Sequence, residues 1–123
     1  MNKSRRKRIA VAIRDLKKTT KHNFIDNYID FIKDEIEDIL WEEDDAYNNM
    51  PENLQYSIRG EESSEAIDNL QEAVDKLDEA IDILNDINNL DKENEYYEIE
   101  KESKEEDIND YINDAISSLE DIY

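Results

Sequence analysis

The repeat between residues 66 and 90 constrains the fold more than any other feature of this chain. It runs AIDNLQE, AVDKLDE, AIDILND and INNL, so apolar side chains return every three or four residues. Three successive heptads have a β-branched residue at position a and leucine at position d, namely Ile67, Val74 and Ile81 with Leu70, Leu77 and Leu84. This pattern is typical of paired helices. It predicts a long helix over residues 63–90 that buries one stripe against another helix.

Three other segments are predicted to be helical. Residues 24–48 place isoleucine at alternating spacings of four and three, and residues 108–123 keep the same rhythm. Both patterns indicate helices with one apolar stripe. A shorter, basic amphipathic helix is predicted within residues 1–22. Residues 91–107 are highly charged, and they form either a solvated helix or a linker.

The connection, residues 49–62, holds the only proline and the only glycine of the chain. Pro51 fits the first turn of a short helical piece over residues 51–55, because its fixed φ suits that position. Gly60 is expected to adopt a positive φ just before the heptad helix. The apolar side chains of this connection are expected to seal the end of the bundle: Met50, Leu54, Tyr56 and Ile58.

These segments together predict an all-α antiparallel helical bundle, a coiled-coil hairpin with an additional C-terminal helix in one domain. Ser63 or Ser64 is expected to cap the heptad helix by accepting a backbone hydrogen bond in its first turn. The aliphatic stripes need facing partners, which are supplied either within the chain or by a second copy. Because β-branched a with leucine d favours paired helices, a homodimer is expected.

Charge is distributed very unevenly along the chain. Residues 1–22 carry nine Lys and Arg against one acid, whereas residues 23–123 carry six basic residues against 34 acids. The body is therefore expected to repel nucleic acid and anionic membranes, and only the N-terminal segment could attract them. Its candidate contacts are Arg5, Arg6, Lys7, Arg8 and Arg14. Two interpretations stay open: they contact phosphates, or they lie along the acidic body of this chain or of a partner protein.

The outer positions b and f of the heptad helix are all acidic. They are occupied by Asp68, Glu72, Asp75, Glu79, Asp82 and Asp86. The six carboxylates span roughly 27 Å at the rise of an α-helix. Such a rod has the charge to occupy a groove built for DNA or RNA. It is equally the arrangement of a solvated helix face, because b and f are the most exposed positions.

No catalytic or metal-binding constellation is visible in the sequence. The chain has no cysteine and a single histidine, His22, so neither a zinc site nor a histidine-based catalytic pair can be assembled from one copy. The ligand order of an EF-hand and a Gly-rich phosphate loop do not occur either. The sequence thus predicts no enzyme, no metal and no cofactor. Without an apolar run long enough for a membrane span or a secretory signal, a cytoplasmic protein is expected.

One stretch, DDAYNNMPENLQYSIRGEESSEAIDNLQEAVDKLDEAI, resembles a family of short, acidic, helical proteins carried by phages and prophages of low-GC Gram-positive bacteria. Its sharpest element is the run Asn49 to Gln55, followed by Gly60 and Glu61, and the resemblance covers roughly residues 1–90. Members of this family are mostly without an assigned activity. The resemblance implies an origin in a mobile element, and small acidic proteins of such elements often inhibit host nucleic-acid enzymes, including CRISPR and restriction systems.

The expected function is therefore a non-catalytic inhibitor that docks an acidic, nucleic-acid-mimicking surface onto the basic groove of a host defence enzyme. One alternative is a structural or adaptor coiled coil that assembles phage or host components, in which the acidic stripe serves only solubility. Another is a nucleic-acid binder that works through residues 3–21.

Overall fold

The computed structural model describes residues 1–19 and 28–122, and within these ranges the chain forms helices and no strand. The elements are α1 (Lys3–Thr19), α2 (Tyr28–Asn48), α3 (Glu52–Gln55), α4 (Ile58–Asn88) and α5 (Tyr97–Glu120). This confirms the all-α class predicted from the heptad pattern. Residues 20–27 lie outside the described ranges, and with them lie His22 and the predicted start of the second helix at residue 24.

The four long helices pack in a ring. Helix α4 packs against α2 and α5, and α1 packs against the same two helices, so α1 and α4 lie diagonally opposite each other. Two contacts between side chains show how α2 and α4 run relative to each other. Lys33 Nζ lies 2.8 Å from Asp78 Oδ1 near one end of α2, and Glu43 Oε1 lies 2.6 Å from Ser63 Oγ near its other end. Helices α2 and α4 are therefore antiparallel.

The core is one cluster of aliphatic side chains drawn from all four long helices. On α4, the d leucines are buried as predicted, but Ile67 and Ile81 at position a are only half-buried. The g positions are buried instead, including Ala66, Ala73 and Ala80. Because α4 has two neighbours, its buried stripe is wider than a two-stranded seam and is shifted towards g. The stripe that favoured a homodimer is thus covered within the chain.

Helix α4 begins at Ile58, five residues before the predicted start at residue 63. Its cap is Ser57, whose side chain accepts a hydrogen bond from the backbone N–H of Gly60 at 3.3 Å. The expectation that Ser63 or Ser64 caps this helix was wrong. Ser63 is buried inside the bundle and donates its hydroxyl hydrogen to Glu43. A serine near the start of a helix can cap that helix or can bind a side chain of another helix. Only the tertiary contact shows which of the two it does.

Helix α5 begins at Tyr97, so most of the charged segment 91–107 is helical. The segment was predicted to be either a linker or a solvated helix, and each description fits one part of it. Residues 91–96 form turns, and residues 97–107 form the first half of α5. Tyr96 and Ile99 stay exposed here. This half of α5 adds none of its residues to the buried core, which begins on this helix at Ile108.

The corner between α2 and α4 is held by hydrogen bonds instead of apolar contacts. Gln55 Nε2 lies 3.0 Å from the carbonyl oxygen of Tyr47 and 3.3 Å from that of Met50. The prediction that four apolar residues seal the bundle here was wrong for three of them, since Tyr56 is 79% and Ile58 76% exposed and Leu54 is exposed as well. Met50 is half-buried. Pro51 is the N-cap residue of α3, one position before the predicted first turn.

Gly60 is needed for close packing, and not for the positive φ that the sequence suggested. It is buried in the first turn of α4, in helical conformation. A Cβ atom at this position would collide with the carbonyl oxygens of Leu54 and Gln55, where α3 ends. The absence of a side chain therefore lets the end of α3 press against the start of α4.

We expect Gly60→Ala to lower the free energy of unfolding. The added methyl group must push α3 away, an overpacking cost of about 1–3 kcal/mol that outweighs roughly 1 kcal/mol of gained helix propensity. Urea unfolding followed by circular dichroism measures the change. Asn85→Ala, at an exposed position of the same helix, is the control and should stay within about 0.5 kcal/mol of the native chain. Unchanged or raised stability of the glycine variant would contradict the packing argument.

Candidate partner-binding surfaces

A buried carboxylate, Glu43, joins three helices at one end of the bundle. It lies on α2, and its Oε2 accepts a hydrogen bond from Arg5 Nε of α1 at 2.9 Å. Its Oε1 accepts one from Ser63 Oγ of α4 at 2.6 Å, and the amino group of Met1 lies 3.5 Å from the same oxygen. The arginine, the hydroxyl and the amino group thus offset the cost of burying this negative charge, which would be strongly destabilising without partners.

The sequence patterns above did not identify Glu43, although a signal for it exists. Ile32, Ile36 and Ile39 follow the spacing of the buried α2 stripe, and the next position in that register is Glu43. An acid in an apolar register is typical of a buried charge with a cationic partner. The overall abundance of acids in this chain hides the signal.

The five candidate basic residues of α1 divide into two groups. Arg5 and Arg8 face α2, where Arg8 Nη1 lies 2.5 Å from Glu42 Oε2. This hydrogen bond, partly opposed by desolvation, raises the pKa of Arg8. Both arginines therefore contact the acidic body of their own chain, one of the two interpretations left open.

The other three basic candidates are exposed. Arg14 lies 3.5 Å from the carboxylate of its neighbour Asp15. Neither Arg6 nor Lys7 forms an ion pair with any residue of the described ranges. All three side chains are exposed, and Lys7 borders a groove between α1 and α2.

The six candidate carboxylates of α4 are all exposed and lie along one line. Their spacing of four and three residues keeps them on the side of α4 opposite its buried stripe. Asp75 accepts a hydrogen bond from the amide of Gln71 at 3.0 Å. In the part of the chain that the structure describes, no cation pairs with any of the six. The stripe is thus an uncompensated row of negative charge.

Two lysines lie beside this stripe. Lys33 reaches over from α2 to Asp78, and that hydrogen bond, partly opposed by desolvation, raises the pKa of the lysine. Lys76 lies on the α5 side, with its Nζ 5.7 Å from the centre of the Tyr111 ring. Both cations tie α4 to its neighbours, so they fix the stripe against the bundle.

The outer face of α2 carries exposed aromatic side chains among acids. Phe31 is 61% and Trp41 63% exposed. The positions between and after them are aspartates at the same helical spacing, Asp34, Asp38 and Asp45. Tryptophan is enriched among the residues that contribute most to protein–protein binding. Below Phe31, a groove of about 360 Å³ opens between α1 and α2, with Val11, Ala12 and Ile32 among its lining residues.

Among the residues of the described ranges, no group of three or more histidine, aspartate or glutamate side chains is placed to hold a metal ion. The same residues form five helices. None of their helices combines the length and the apolar character that crossing a bilayer requires.

Comparisons with protein-family models, with curated proteins and with solved structures gave no match to this chain.

We expect Glu43→Ala to destabilise the fold by about 3–5 kcal/mol, because it leaves Arg5 and the Ser63 hydroxyl without their buried partner. Urea unfolding measures the loss. Glu42→Ala is the matched control, since Glu42 is the preceding residue and also pairs with α1, but from an exposed position. The control should lose no more than about 1 kcal/mol. Equal losses for the two variants would show that burial of Glu43 has no special role.

Proposed function

We propose that this chain is a non-catalytic inhibitor that binds another protein through the acidic stripe of α4. The stripe, defined by Asp68, Glu72, Asp75, Glu79, Asp82 and Asp86, would occupy a basic groove that otherwise holds nucleic acid. The observation that carries the proposal is the state of these carboxylates: all are exposed, and none is paired with a cation of the described residues.

Geometry and rigidity support this proposal. The stripe is roughly 27 Å long with neighbours about 4.5–6 Å apart along the axis, close to the scale of successive phosphates at about 3.4 Å of rise per nucleotide. Helix α4 is held by α2 and α5 along its length. Its charges are therefore positioned before binding, which lowers the entropic cost of association.

The partner class comes from the resemblance of residues 1–90 to phage and prophage proteins. It is a host enzyme of nucleic-acid defence, of the CRISPR or restriction type, with a basic nucleic-acid groove. Under this proposal the protein acts in the cytoplasm of a bacterial host. Direct binding of nucleic acid by α1 is less favoured, because Arg5 and Arg8 are already engaged with Glu43 and Glu42.

A second candidate function is assembly of other proteins as an adaptor. The observation that favours it is the exposure of large apolar side chains at the corner before α4, Tyr56 and Ile58 above all. Apolar docking at this corner would depend little on ionic strength. Docking of the acidic stripe would weaken steeply as salt is added, because exposed charges are screened.

We expect the triple variant Asp75→Asn, Glu79→Gln, Asp82→Asn to bind its partner at least about tenfold more weakly, a loss of roughly 1.4 kcal/mol. The partner is first captured from a bacterial lysate with the native chain and identified by mass spectrometry. Affinity is then measured with the purified partner by calorimetry at two salt concentrations. A short DNA duplex added in excess should compete with the native chain for the same groove.

The matched control is Glu98→Gln, Glu100→Gln, Glu102→Gln, which removes the same charge from exposed positions at the start of α5. This control should keep native affinity. If the stripe variant binds as tightly as the native chain, the electrostatic proposal is wrong. If binding also ignores salt and is lost on Ile58→Ser, the adaptor function is favoured.

A further inference from the structure

The outward side of α1 carries a second charged stripe, of opposite sign to that of α4. Its members are the exposed residues Lys3, Lys7, Arg14 and Lys18, which we call the basic stripe. Spacings of four, seven and four residues keep them on one side of the helix. They span roughly 22 Å, close to the roughly 27 Å of the acidic stripe. Between Lys7 and Arg14 this side of α1 is bordered by Ala10 and by Val11, which is 45% exposed, and their short side chains leave room for another helix to approach.

The ring of helices sets the two stripes back to back. Because α1 and α4 lie diagonally and both turn their apolar residues inward, their outer sides face away from each other. The basic stripe therefore cannot neutralise the acidic stripe of its own chain. Each copy presents a positive side and a negative side of similar length.

We propose that the basic stripe of one copy docks on the acidic stripe of α4 of a second copy. The residues beside the stripes are complementary too. Lys33 and Lys76 lie on the two sides of the acidic stripe. The acids Glu42 and Glu120, which pair with Arg8 and Lys17, lie on the α2 and α5 sides of α1. Because the proposed host partner uses the same acidic stripe, it and a second copy would compete for that surface, but the test of this inference needs no host partner.

Nucleic acid fits the basic stripe less well than a second copy does. A duplex carries about one negative charge for every 1.7 Å of axis, distributed around it. A duplex on α1 would therefore also approach the acids of α2 and α5 that border this helix. It has no cation to place against them. The acidic stripe of a second copy brings its negative charges in one line, with lysines at its sides.

The back-to-back arrangement determines the form of the assembly. A copy bound on the α1 side cannot also reach the α4 side of the same molecule, so a two-fold dimer cannot use both stripes. Association through these surfaces is head-to-tail and leaves one free stripe at each end. It therefore continues beyond two copies, unlike the homodimer that the heptad pattern suggested.

The net charge of −20 opposes self-association over long distances. At about 0.15 M salt the Debye length is roughly 8 Å, so repulsion between whole molecules is largely screened while contacts between adjoining stripes persist. At 1 M salt the screening length is roughly 3 Å, and these contacts weaken as well. Association should thus be strong at moderate ionic strength and lost at high ionic strength.

Sedimentation velocity of the full chain over a range of protein concentrations, in 0.15 M and 1 M NaCl, tests this inference. In 0.15 M NaCl the average mass should rise with concentration beyond twice the 14.6 kDa of one chain. In 1 M NaCl it should return to that of one chain. A constant monomer in both salts, or a dimer that 1 M NaCl does not dissociate, would overturn the proposal.

Charge-reversed variants identify the surfaces. Reversal of the basic stripe, by Lys3→Glu, Lys7→Glu, Arg14→Glu and Lys18→Glu, should weaken association at least tenfold. Reversal of the acidic stripe, by Glu72→Lys, Asp75→Lys, Glu79→Lys and Asp82→Lys, should do the same. Mixing the two variants should restore assembly. The variant with the reversed acidic stripe keeps a native basic stripe, and this can dock on the native acidic stripe of the other variant. Separate variants that stay monomeric when mixed would count against the proposal.

The control for the reversal of the basic stripe is Arg59→Glu, Lys92→Glu, Lys101→Glu and Lys104→Glu, which lowers the net charge by the same amount at positions outside α1. It should associate like the native chain. If it loses association to the same extent, general repulsion explains the result and the docking surface is wrong. Circular dichroism establishes that each variant is helical, and a failure of one reversal to fold leaves the other as an independent test.

Discussion

The pairing of Glu43 with Arg5 and Ser63 fixes how the helices are arranged. Moving a carboxylate out of water costs several kcal/mol, and only the arrangement that supplies both an arginine and a hydroxyl offsets this cost. Residues 5 and 63 lie far from residue 43 along the chain, on two different helices. One buried group therefore sets the position of α1 and of α4 against α2.

Packing around this contact combines unequal side chains. Helix α2 contributes large aliphatic residues such as Ile32 and Ile36, whereas α4 contributes alanine at 66, 73 and 80. Small residues let neighbouring helices approach closely, and large residues fill the space that remains between them. A chain in which 41% of residues are charged can thus assemble a continuous core. Apart from the buried Glu43, the charged side chains of the described residues lie at least partly in solvent, and α1 and α4 present opposite signs there.

Whether a feature of this structure could be predicted from the sequence depends on how far apart along the chain the interacting residues lie. The helical class and the exposure of the α4 carboxylates follow from periodicity, a local property that a repeat such as AVDKLDE displays directly. The burial of Glu43, the cap at Ser57 and the close approach at Gly60 depend on groups from other elements. Residue type alone predicted other roles for Gly60 and for Ser63, and it gave no role to Glu43. The acidic stripe was recognised from spacing, but spacing does not identify what binds it.

Trp41 has a consequence for how this molecule can be observed. It is the only tryptophan of the chain and lies in water on the outer face of α2, two residues before the buried Glu43. Because its indole is largely in water in the native state, we expect unfolding to shift its emission spectrum little. Quenching or a blue shift of this emission would instead register another molecule covering the outer face of α2. The single tryptophan thus reports on that surface in the folded protein without a label.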